Sequence, residues 1–215
     1  MNSPTRSPGV TLPRAFYYRS ALDVAPALLG KVLWRRTEEG LTAGRIVETE
    51  AYLGPADPAA HSYKPRSPRT EVLYGPGGFA YVYLIYGMYA CLNVACNEPG
   101  QPDCVLLRAL EPLEGRALMT ARRQRPHRPP PAKPPTDWAL CGGPGKLCQA
   151  MAVDRGCYGA DLLGDVLFLT EGDAVPPEEI HTSPRINIDY AGAAREFPWR
   201  FYVESPCLSV RKFSA

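Results

Sequence analysis

The chain has 215 residues, of which 45% are hydrophobic, and its formal net charge is +2. This length favours one domain with a sizeable core, and this charge excludes a protein that binds nucleic acids through strong overall basicity. The seven cysteines form no Cys-x-x-Cys pair and only three histidines accompany them, which argues against a zinc site or a disulfide framework. No apolar run approaches the ~20 residues of a membrane helix, and the first residues lack a signal-peptide core. We therefore expect an intracellular protein with reduced thiols, in the cytoplasm or nucleoid if the organism is bacterial.

The first residues predict a tail followed by a helix. Residues 1–13 are polar and rich in proline, which indicates a flexible tail ahead of a single domain over residues 14–215. Residues 14–30 favour a helix with Asp23 as its cap and Pro26 in its first turn.

Short segments with alternating or continuous hydrophobicity follow, separated by turns rich in glycine and proline, and they read as strands. The predicted strands cover residues 31–36, 42–53, 79–86, 89–96, 104–110, 165–170, 184–188 and 199–204. Helical spacing recurs over 113–124 and 145–153, and residues 125–136 predict a proline-rich surface loop. Many antiparallel strands with few helices indicate the α+β class and a single domain.

The strand over 42–53 carries polar groups where a core would need aliphatic ones. With a period of two, Ile46, Glu48, Glu50 and Tyr52 share one face. A carboxylate beside a tyrosine on a core strand suggests a site, although a charged residue facing solvent on an edge strand is the simpler interpretation.

A partner for Glu50 decides between these interpretations. Arg45 and Arg108 are both candidates, and Arg108 stands among apolar residues. If a buried Glu50 lies beside an arginine, it stays ionised and can hold or deprotonate a water. The alternative for Arg108 is an arginine at a strand edge with its head group in solvent.

Four tyrosines fall within nine residues, at positions 81, 83, 86 and 89. Core packing explains at least two of them. Rings near arginines and lysines are also what a base-stacking surface requires. His61 alone is more typical of a structural histidine. The basic residues Lys64, Arg66 and Arg69 are solvated by default and would neutralise phosphates if they lay near such a surface.

Several long motifs occur in a fixed order and carry a resemblance. They are Glu-Thr-Glu-Ala-Tyr-Leu-Gly-Pro, Ala-Ala-His-Ser, Tyr-Val-Tyr-x-Ile-Tyr-Gly-Met-Tyr, Leu-Leu-Arg-Ala-Leu-Glu-Pro-Leu-Glu-Gly and Gly-Pro-x-Lys-Leu-Cys-Gln-Ala. Together they resemble the alkyladenine DNA glycosylases, also called 3-methyladenine or methylpurine DNA glycosylases, over roughly residues 12–211.

The resemblance implies a DNA-repair enzyme that flips a damaged purine out of the duplex and hydrolyses its N-glycosidic bond, leaving an abasic site. It implies a compact α+β domain around a curved antiparallel sheet, related to the C-terminal domain of formyltransferases. The expected partner is double-stranded DNA with an alkylated, deaminated or etheno purine. We expect a monomer with no metal, no cofactor and no membrane. No lysine stands beside Glu50 in the sequence, so we expect no lyase step.

The resemblance also assigns roles to individual residues. Glu50 would activate the attacking water and Arg108 would help to position it. The base pocket would be formed by Tyr52, His61, Tyr83, Asn93 and Leu106, with Asn93 crowding the 2-amino group of guanine. Tyr86 would fill the place that the base vacates. The residues expected at the DNA backbone are Lys64, Arg66, Arg69, Lys146 and Arg185.

Two other functions stay open at this point. One is a non-catalytic module that keeps the aromatic surface and senses lesions. The other is a formyltransferase-like accessory domain that binds RNA. The presence of both Glu50 and Arg108 favours the enzyme.

Overall fold

Antiparallel strands dominate the computed structural model, which describes residues 7–124 and 133–209. The strands within these ranges are β1 (Val32–Thr37), β2 (Gly40–Leu53), β3 (Ala80–Ile85), β4 (Tyr89–Cys96), β5 (Asp103–Glu114), β6 (Leu167–Thr170), β7 (His181–Ser183) and β8 (Arg200–Tyr202). They form one strongly curled sheet in the order β3-β4-β5-β2-β1-β6, with β8 paired to β2 and to β7. The predicted α+β class, the curved antiparallel sheet and the hairpin between β1 and β2 are confirmed.

The helices are short. In the same ranges they are α1 (Arg14–Tyr17), α2 (Ala21–Ala27), α3 (Arg116–Arg123), α4 (Asp137–Cys141) and α5 (Pro144–Ala150). The single helix predicted over 14–30 is wrong, because the chain breaks between α1 and α2. The cap of α2 is Ser20, whose hydroxyl accepts from the amide of Leu22, while Asp23 lies in the first turn and Pro26 inside the helix. No helix of the described chain is long and apolar enough to cross a bilayer.

Two predicted irregular segments are only partly described. Residues 1–6 of the predicted tail lie outside the described ranges. The end of that segment belongs to the fold, since Leu12 is buried and donates its amide to Leu169 of β6. Most of the predicted proline-rich loop, 125–132, also lies outside the described ranges. Its last residue, Thr136, caps α4.

The strand predicted over 184–188 is wrong. Pairing ends at Ser183, and the next five residues are irregular. Pro184 has no amide to donate to a ladder, and Asn187 has a φ of 60°, which no extended strand contains. The segment instead turns inward, and this turn brings the amide of Ile186 to the site described below.

The sheet has two buried faces. On one face, Val82, Leu92, Val105 and Leu107 belong to the main hydrophobic core, which also contains α2 and α5. The opposite face carries the predicted site. A β-bulge at Val47 interrupts the alternation between these faces, because the register of β2 against β5 shifts after Ile46. Ile46 and Val47, the two residues of the bulge, therefore both lie in the main core. The prediction that Ile46 shares the face of Glu50, made from the period of two, is wrong.

Candidate active site

Five strands place one residue each in a row across the second face. Tyr81 on β3 opposes Asn93 on β4, which opposes Leu106 on β5, and Leu106 opposes Glu50 on β2. Glu50 in turn opposes Arg200 on β8. Directly opposed residues of antiparallel strands project to the same side of a sheet. Residues from positions 50 to 200 therefore meet because the sheet aligns their strands.

Glu50 is fully buried on a central strand, so the solvent-facing alternative is excluded. Its Oε2 accepts from the Tyr52 hydroxyl at 2.9 Å and from Arg108 Nη1 at 3.2 Å, and its Oε1 accepts from the amide of Ile186 at 2.8 Å. A carboxylate offers about four acceptor positions. The described contacts fill three, which leaves Oε1 able to accept from one more donor.

Arg108 is 6% exposed and bridges two carboxylates. Its Nε donates to Glu48 Oε1 at 3.0 Å, while Nη1 donates to Glu50. Burial alone would lower the pKa of Arg108, but the two carboxylates outweigh burial and raise it. The second candidate, Arg45, pairs instead with Glu111. Arg108 is thus the cation that balances Glu50, and it is not a solvated residue at a strand edge.

Tyr52, which donates to Glu50, forms one wall of a small cavity of about 30 Å³. It is lined by Tyr52, Ala59, His61, Tyr81, Tyr83, Asn93, Cys104 and Tyr190. A water molecule needs only about 10–15 Å³ of such volume, so water fits in this cavity.

His61 is held between two elements. Its Nδ1 lies 2.8 Å from the Tyr81 hydroxyl, and its Nε2 lies 3.4 Å from Nη2 of Arg69, which can only donate. Burial, together with the charges of Arg69 and Lys64, lowers the pKa of His61 to about 4. The ring is therefore neutral near pH 7, with its proton on Nδ1. It also meets Tyr83 edge-on, with 4.5 Å between ring centroids.

Tyr52 and Tyr83 remain neutral phenols, because burial raises the pKa of both well above its ordinary value. Each ring already has a cation over one face. The guanidinium carbon of Arg185 lies 4.7 Å from the Tyr52 centroid, and that of Arg69 lies 5.0 Å from the Tyr83 centroid. Positive charge is therefore favourable beside both rings.

Asn93 and Leu106 form the floor between the rings and Glu50. Both are buried, and Asn93 donates its side-chain amide to the Tyr81 carbonyl at 3.2 Å. This bond fixes the amide plane within the cavity wall. Leu106 lies directly between Asn93 and Glu50 in the row.

Tyr86 stands apart from these residues, at the tip of the β3–β4 hairpin. Its side chain is 86% exposed, and its φ of 53° is in the left-handed region. A bulky residue rarely adopts this conformation, which costs about 1–3 kcal/mol. Met88, two residues on, is 72% exposed. A strained, exposed and largely apolar tip contributes little to the core, so its role lies outside the fold.

Comparison with known proteins decides the family. The family described as Methylpurine-DNA glycosylase (MPG) matches residues 15–206. The chain belongs to the methylpurine-DNA glycosylase family. It is a DNA glycosylase, a hydrolase of N-glycosyl bonds in DNA repair. The resemblance seen in the sequence is thereby confirmed.

Individual relatives are similar over most of their length. Proteins of Methanocella arvoryzae and of Desulfitobacterium hafniense strain Y51 are each 47% identical over 202 residues, which cover 93% of this chain and 96% and 98% of theirs. A protein of Bacillus subtilis strain 168 is 44% identical over 193 residues, 89% of this chain and 92% of its own. All three are provisionally named 3-methyladenine DNA glycosylases.

The basic residues of the glycosylase differ in their surroundings. Lys64, Arg66 and Arg69 are exposed on the loop beside the cavity, where Arg66 pairs with Glu71. Lys146, at the start of α5, is half-buried with its ammonium over the Trp138 ring. Three of these four residues are therefore exposed, and the fourth is half-buried.

Arg185 differs from these four residues in its surroundings. Its side chain is fully buried, its Nη2 donates to Asp57 Oδ1 at 2.8 Å, and its Nη1 donates to the Ala51 carbonyl at 2.9 Å. The guanidinium is thus enclosed by the protein. It fixes the irregular segment that carries Ile186 and lies over Tyr52, so its contribution to the glycosylase is to shape the site from inside.

Sequence reasoning missed several groups of the site. The amide of Ile186, the ring of Tyr190, and Glu48 with its partners Arg200 and Ser209 all contact the predicted residues or line the cavity. Among these groups, only Glu48 could have been recognised in the sequence, since it shares a strand face with Glu50. The other groups belong to the last 30 residues, where no short motif indicates chemistry.

Proposed function

We propose that this glycosylase flips an alkylated purine out of duplex DNA and cleaves its N-glycosidic bond with a water that Glu50 activates. The observation that carries the proposal is the buried carboxylate with one acceptor position left on Oε1, beside the ring-lined cavity. A water at that position can give its proton to Glu50 as it attacks the sugar carbon. The product is an abasic site.

Arg108 has two functions in this proposal. It balances the charge of the buried Glu50, because a buried carboxylate without a cationic partner is costly. It also fixes the direction of the carboxylate through Oε2, so that Oε1 is the oxygen available to the water. Fixing the Glu50 carboxylate in its reactive orientation before the substrate binds lowers the barrier to attack.

The pocket residues would select the base. Alkylation at N3 or N7 makes the purine cationic, and the rings of Tyr52, His61 and Tyr83 would stack on it or contact it. Base–aromatic stacking is worth about 1–3 kcal/mol, which is comparable to the cost of extrusion. Asn93 would crowd the 2-amino group of guanine, and Leu106 would complete the floor.

Recognition of the duplex would come from the hairpin tip and the basic loop. Tyr86 would enter the stack where the base has left, and its strained, exposed position supports this role. Lys64, Arg66, Arg69 and Lys146 would contact phosphates, so that DNA binding weakens with salt. We propose that the enzyme acts as a monomer on double-stranded DNA.

The proposed chemistry ends with the base released. Cationic 3- or 7-methylpurines leave readily, whereas neutral hypoxanthine or ethenoadenine also needs leaving-group protonation. An imine-forming amine beside the sugar would be needed for strand cleavage, and the contacts of Glu50 described above include no lysine. The enzyme is therefore proposed to be monofunctional.

Single-turnover excision tests the proposal. Purified wild type and Glu50→Gln would be incubated with duplexes that contain 7-methylguanine, hypoxanthine or ethenoadenine, and base release would be scored with and without alkali. Wild type should release at least one of these bases and leave the strand intact until alkali is added. Glu50→Gln should bind the same duplex but excise at least ~10³-fold more slowly.

Three outcomes would contradict this. Normal excision by Glu50→Gln would show that another group activates the water. If wild type binds lesion duplexes tightly but releases no base from any of them, the protein is a lesion sensor. Strand cleavage without alkali would contradict the monofunctional assignment.

A further inference from the structure

The site contains a second buried carboxylate, Glu48, that the proposed chemistry does not use. Glu48 Oε1 accepts from Arg108 Nε at 3.0 Å, from Arg200 Nε at 2.7 Å and from the Ser209 hydroxyl at 2.6 Å. Its Oε2 accepts from the amide of Ser209 at 2.6 Å. The side chain is fully buried. Four donors on one carboxylate, supplied by three different segments, form a tightly built network.

We propose that Glu48, together with Arg200 and Ser209, is a positioning group that holds Arg108 in its orientation toward Glu50 and balances the charge around the reacting water. The inference rests on the proposed role of Glu50 as the base. Glu48 does not touch the substrate in this proposal and acts only through Arg108.

The proposed positioning role follows from the contacts of the Arg108 guanidinium. Nε is held by Glu48, and Nε and Nη2 also donate to the Ser209 hydroxyl at 3.3 and 3.1 Å, so only Nη1 is directed to Glu50. Without this hold, a guanidinium prefers a two-pronged pair with a carboxylate. Such a pair would occupy both oxygens of Glu50 and fill the position that the water needs.

The proposed charge balance follows from the formal charges of the four buried groups. Two carboxylates, Glu48 and Glu50, face two guanidinium groups, Arg108 and Arg200, and their formal charges cancel. Burial would raise the pKa of Glu48, but Arg108, Arg200 and the bonds from Ser209 lower it. Glu48 is therefore a fixed negative charge near neutral pH. Removing it leaves an excess positive charge beside Glu50, and removing Arg200 leaves an excess negative one.

Other groups near Glu50 cannot produce opposite shifts, since all of them, including His61 with its pKa of about 4, are the same in every variant. The groups that interact with its charge most directly are Arg108, Tyr52, Arg185, Tyr83, Cys91 and Tyr190. The phenols and the thiol have raised pKa values, about 11 for Cys91, and stay neutral below pH 8. Asp57 balances Arg185. His61 contacts Tyr83 and Tyr81.

The test is the pH–rate profile of single-turnover excision from pH 4 to 8. Excision should rise as the base ionises, which gives an acidic limb. In Glu48→Gln this limb should move down by about one pH unit, and in Arg200→Gln it should move up by a similar amount. In the double variant it should return close to the wild-type position. The plateau of Glu48→Gln should fall about 10–100-fold, because Arg108 is released.

Ser209→Ala separates positioning from charge. It removes a link between Glu48 and Arg108 without changing the charge count, so the plateau should fall while the limb stays in place. Glu111→Gln is the matched control, since it breaks the Arg45 pair in the same β2–β5 ladder away from Glu50. It should leave both the limb and the plateau unchanged.

Opposite shifts distinguish charge balance from structural damage, which would lower every rate without moving the limb in two directions. Shifts in the same direction, or none, would overturn the inference. If Glu48→Gln does not fold, Arg200→Gln must still move the limb up and Ser209→Ala must still lower the plateau. If Glu50→Gln excises normally, the proposed function itself fails, whatever these variants show.

Discussion

Leu107 and Arg108 are neighbours on β5, yet they belong to opposite regions of the molecule. Leu107 lies in the main core beneath the helices, and Arg108 lies among carboxylates and rings on the other face. Both are almost completely buried. The core face is closed by apolar packing, which needs only the right volume. The site face is closed by hydrogen bonds and paired charges, each of which needs a particular partner.

The two faces of the sheet contribute differently to folding stability and to the candidate site. Apolar burial is a dependable source of folding free energy. A buried ion network gives little net stability but is costly to leave half made. The strands thus present a tolerant surface to the helices and an exacting one to the candidate site.

Arg108→Met should have the largest effect. It leaves Glu48 and Glu50 buried with Arg200 as the remaining cation of the network, and breaking such pairs costs about 3–5 kcal/mol. Excision should be lost as well. Urea unfolding at pH 7 gives the first quantity and single-turnover excision gives the second. A fall of less than 1 kcal/mol in the free energy of unfolding would show that the ion network is less buried than its contacts indicate.

Leu107→Ala disturbs the other face and should cost about 3 kcal/mol through the cavity that it leaves. Because the site face is untouched, excision per folded molecule should stay within about twofold of wild type. The same urea titration and a rate normalised to the folded fraction test this. A large fall in the normalised rate would mean that the two faces are coupled.

The pH dependence of stability should distinguish the faces next. The pKa of Glu48 is lower in the folded state than its ordinary value near 4.5. Its ionised form therefore stabilises the fold fully above about pH 4.5, and this contribution is lost as pH falls through the lowered pKa. Urea midpoints of wild type and Glu48→Gln should differ most above pH 5 and converge toward pH 3. A difference between the two urea midpoints that stays constant with pH would contradict the lowered pKa of Glu48.

The smallest effect on folding should come from the hairpin tip. Asparagine tolerates a positive φ, so Tyr86→Asn should leave stability unchanged or raise it by up to about 1 kcal/mol. Excision should fall about tenfold, with initial DNA binding less affected. Tyr89→Asn is a matched control on the same hairpin, since Tyr89 is half-exposed in β4 and has no positive φ. Equal losses of binding and excision in Tyr86→Asn would argue against a wedge.

Local patterns allowed much of the sheet to be predicted. The strand β4 and the β1–β2 hairpin follow from alternation and turn residues, and Glu50 and Arg108 were conspicuous because they interrupt apolar runs. These features depend on neighbours in sequence. Most bounds elsewhere moved by one to four residues, for example at β5, which continues to Glu114.

The remaining site features depend on long-range contacts. Arg185 looks like a surface cation until Asp57, 128 positions away, encloses it. Glu48 gains its meaning from Ser209, 161 positions away. The predicted helix over 14–30 fails because the chain breaks after α1 and Ser20, not Asp23, caps α2. Short-range periodicity contains none of this information.

The pairing of β2 with β5 has one further consequence, for how this chain tolerates changes of length. Val47 on β2 and Arg108 on β5 are each skipped in the ladder, so Ile46 opposes Leu110 and Thr49 opposes Leu107 with the alignment restored between them. The two offsets cancel. A one-residue deletion in either strand would leave the other offset uncompensated and turn the rest of that strand over, so that acids point into the core and aliphatics toward the candidate site. Insertions and deletions among homologues should therefore avoid this short stretch and accumulate in the loops.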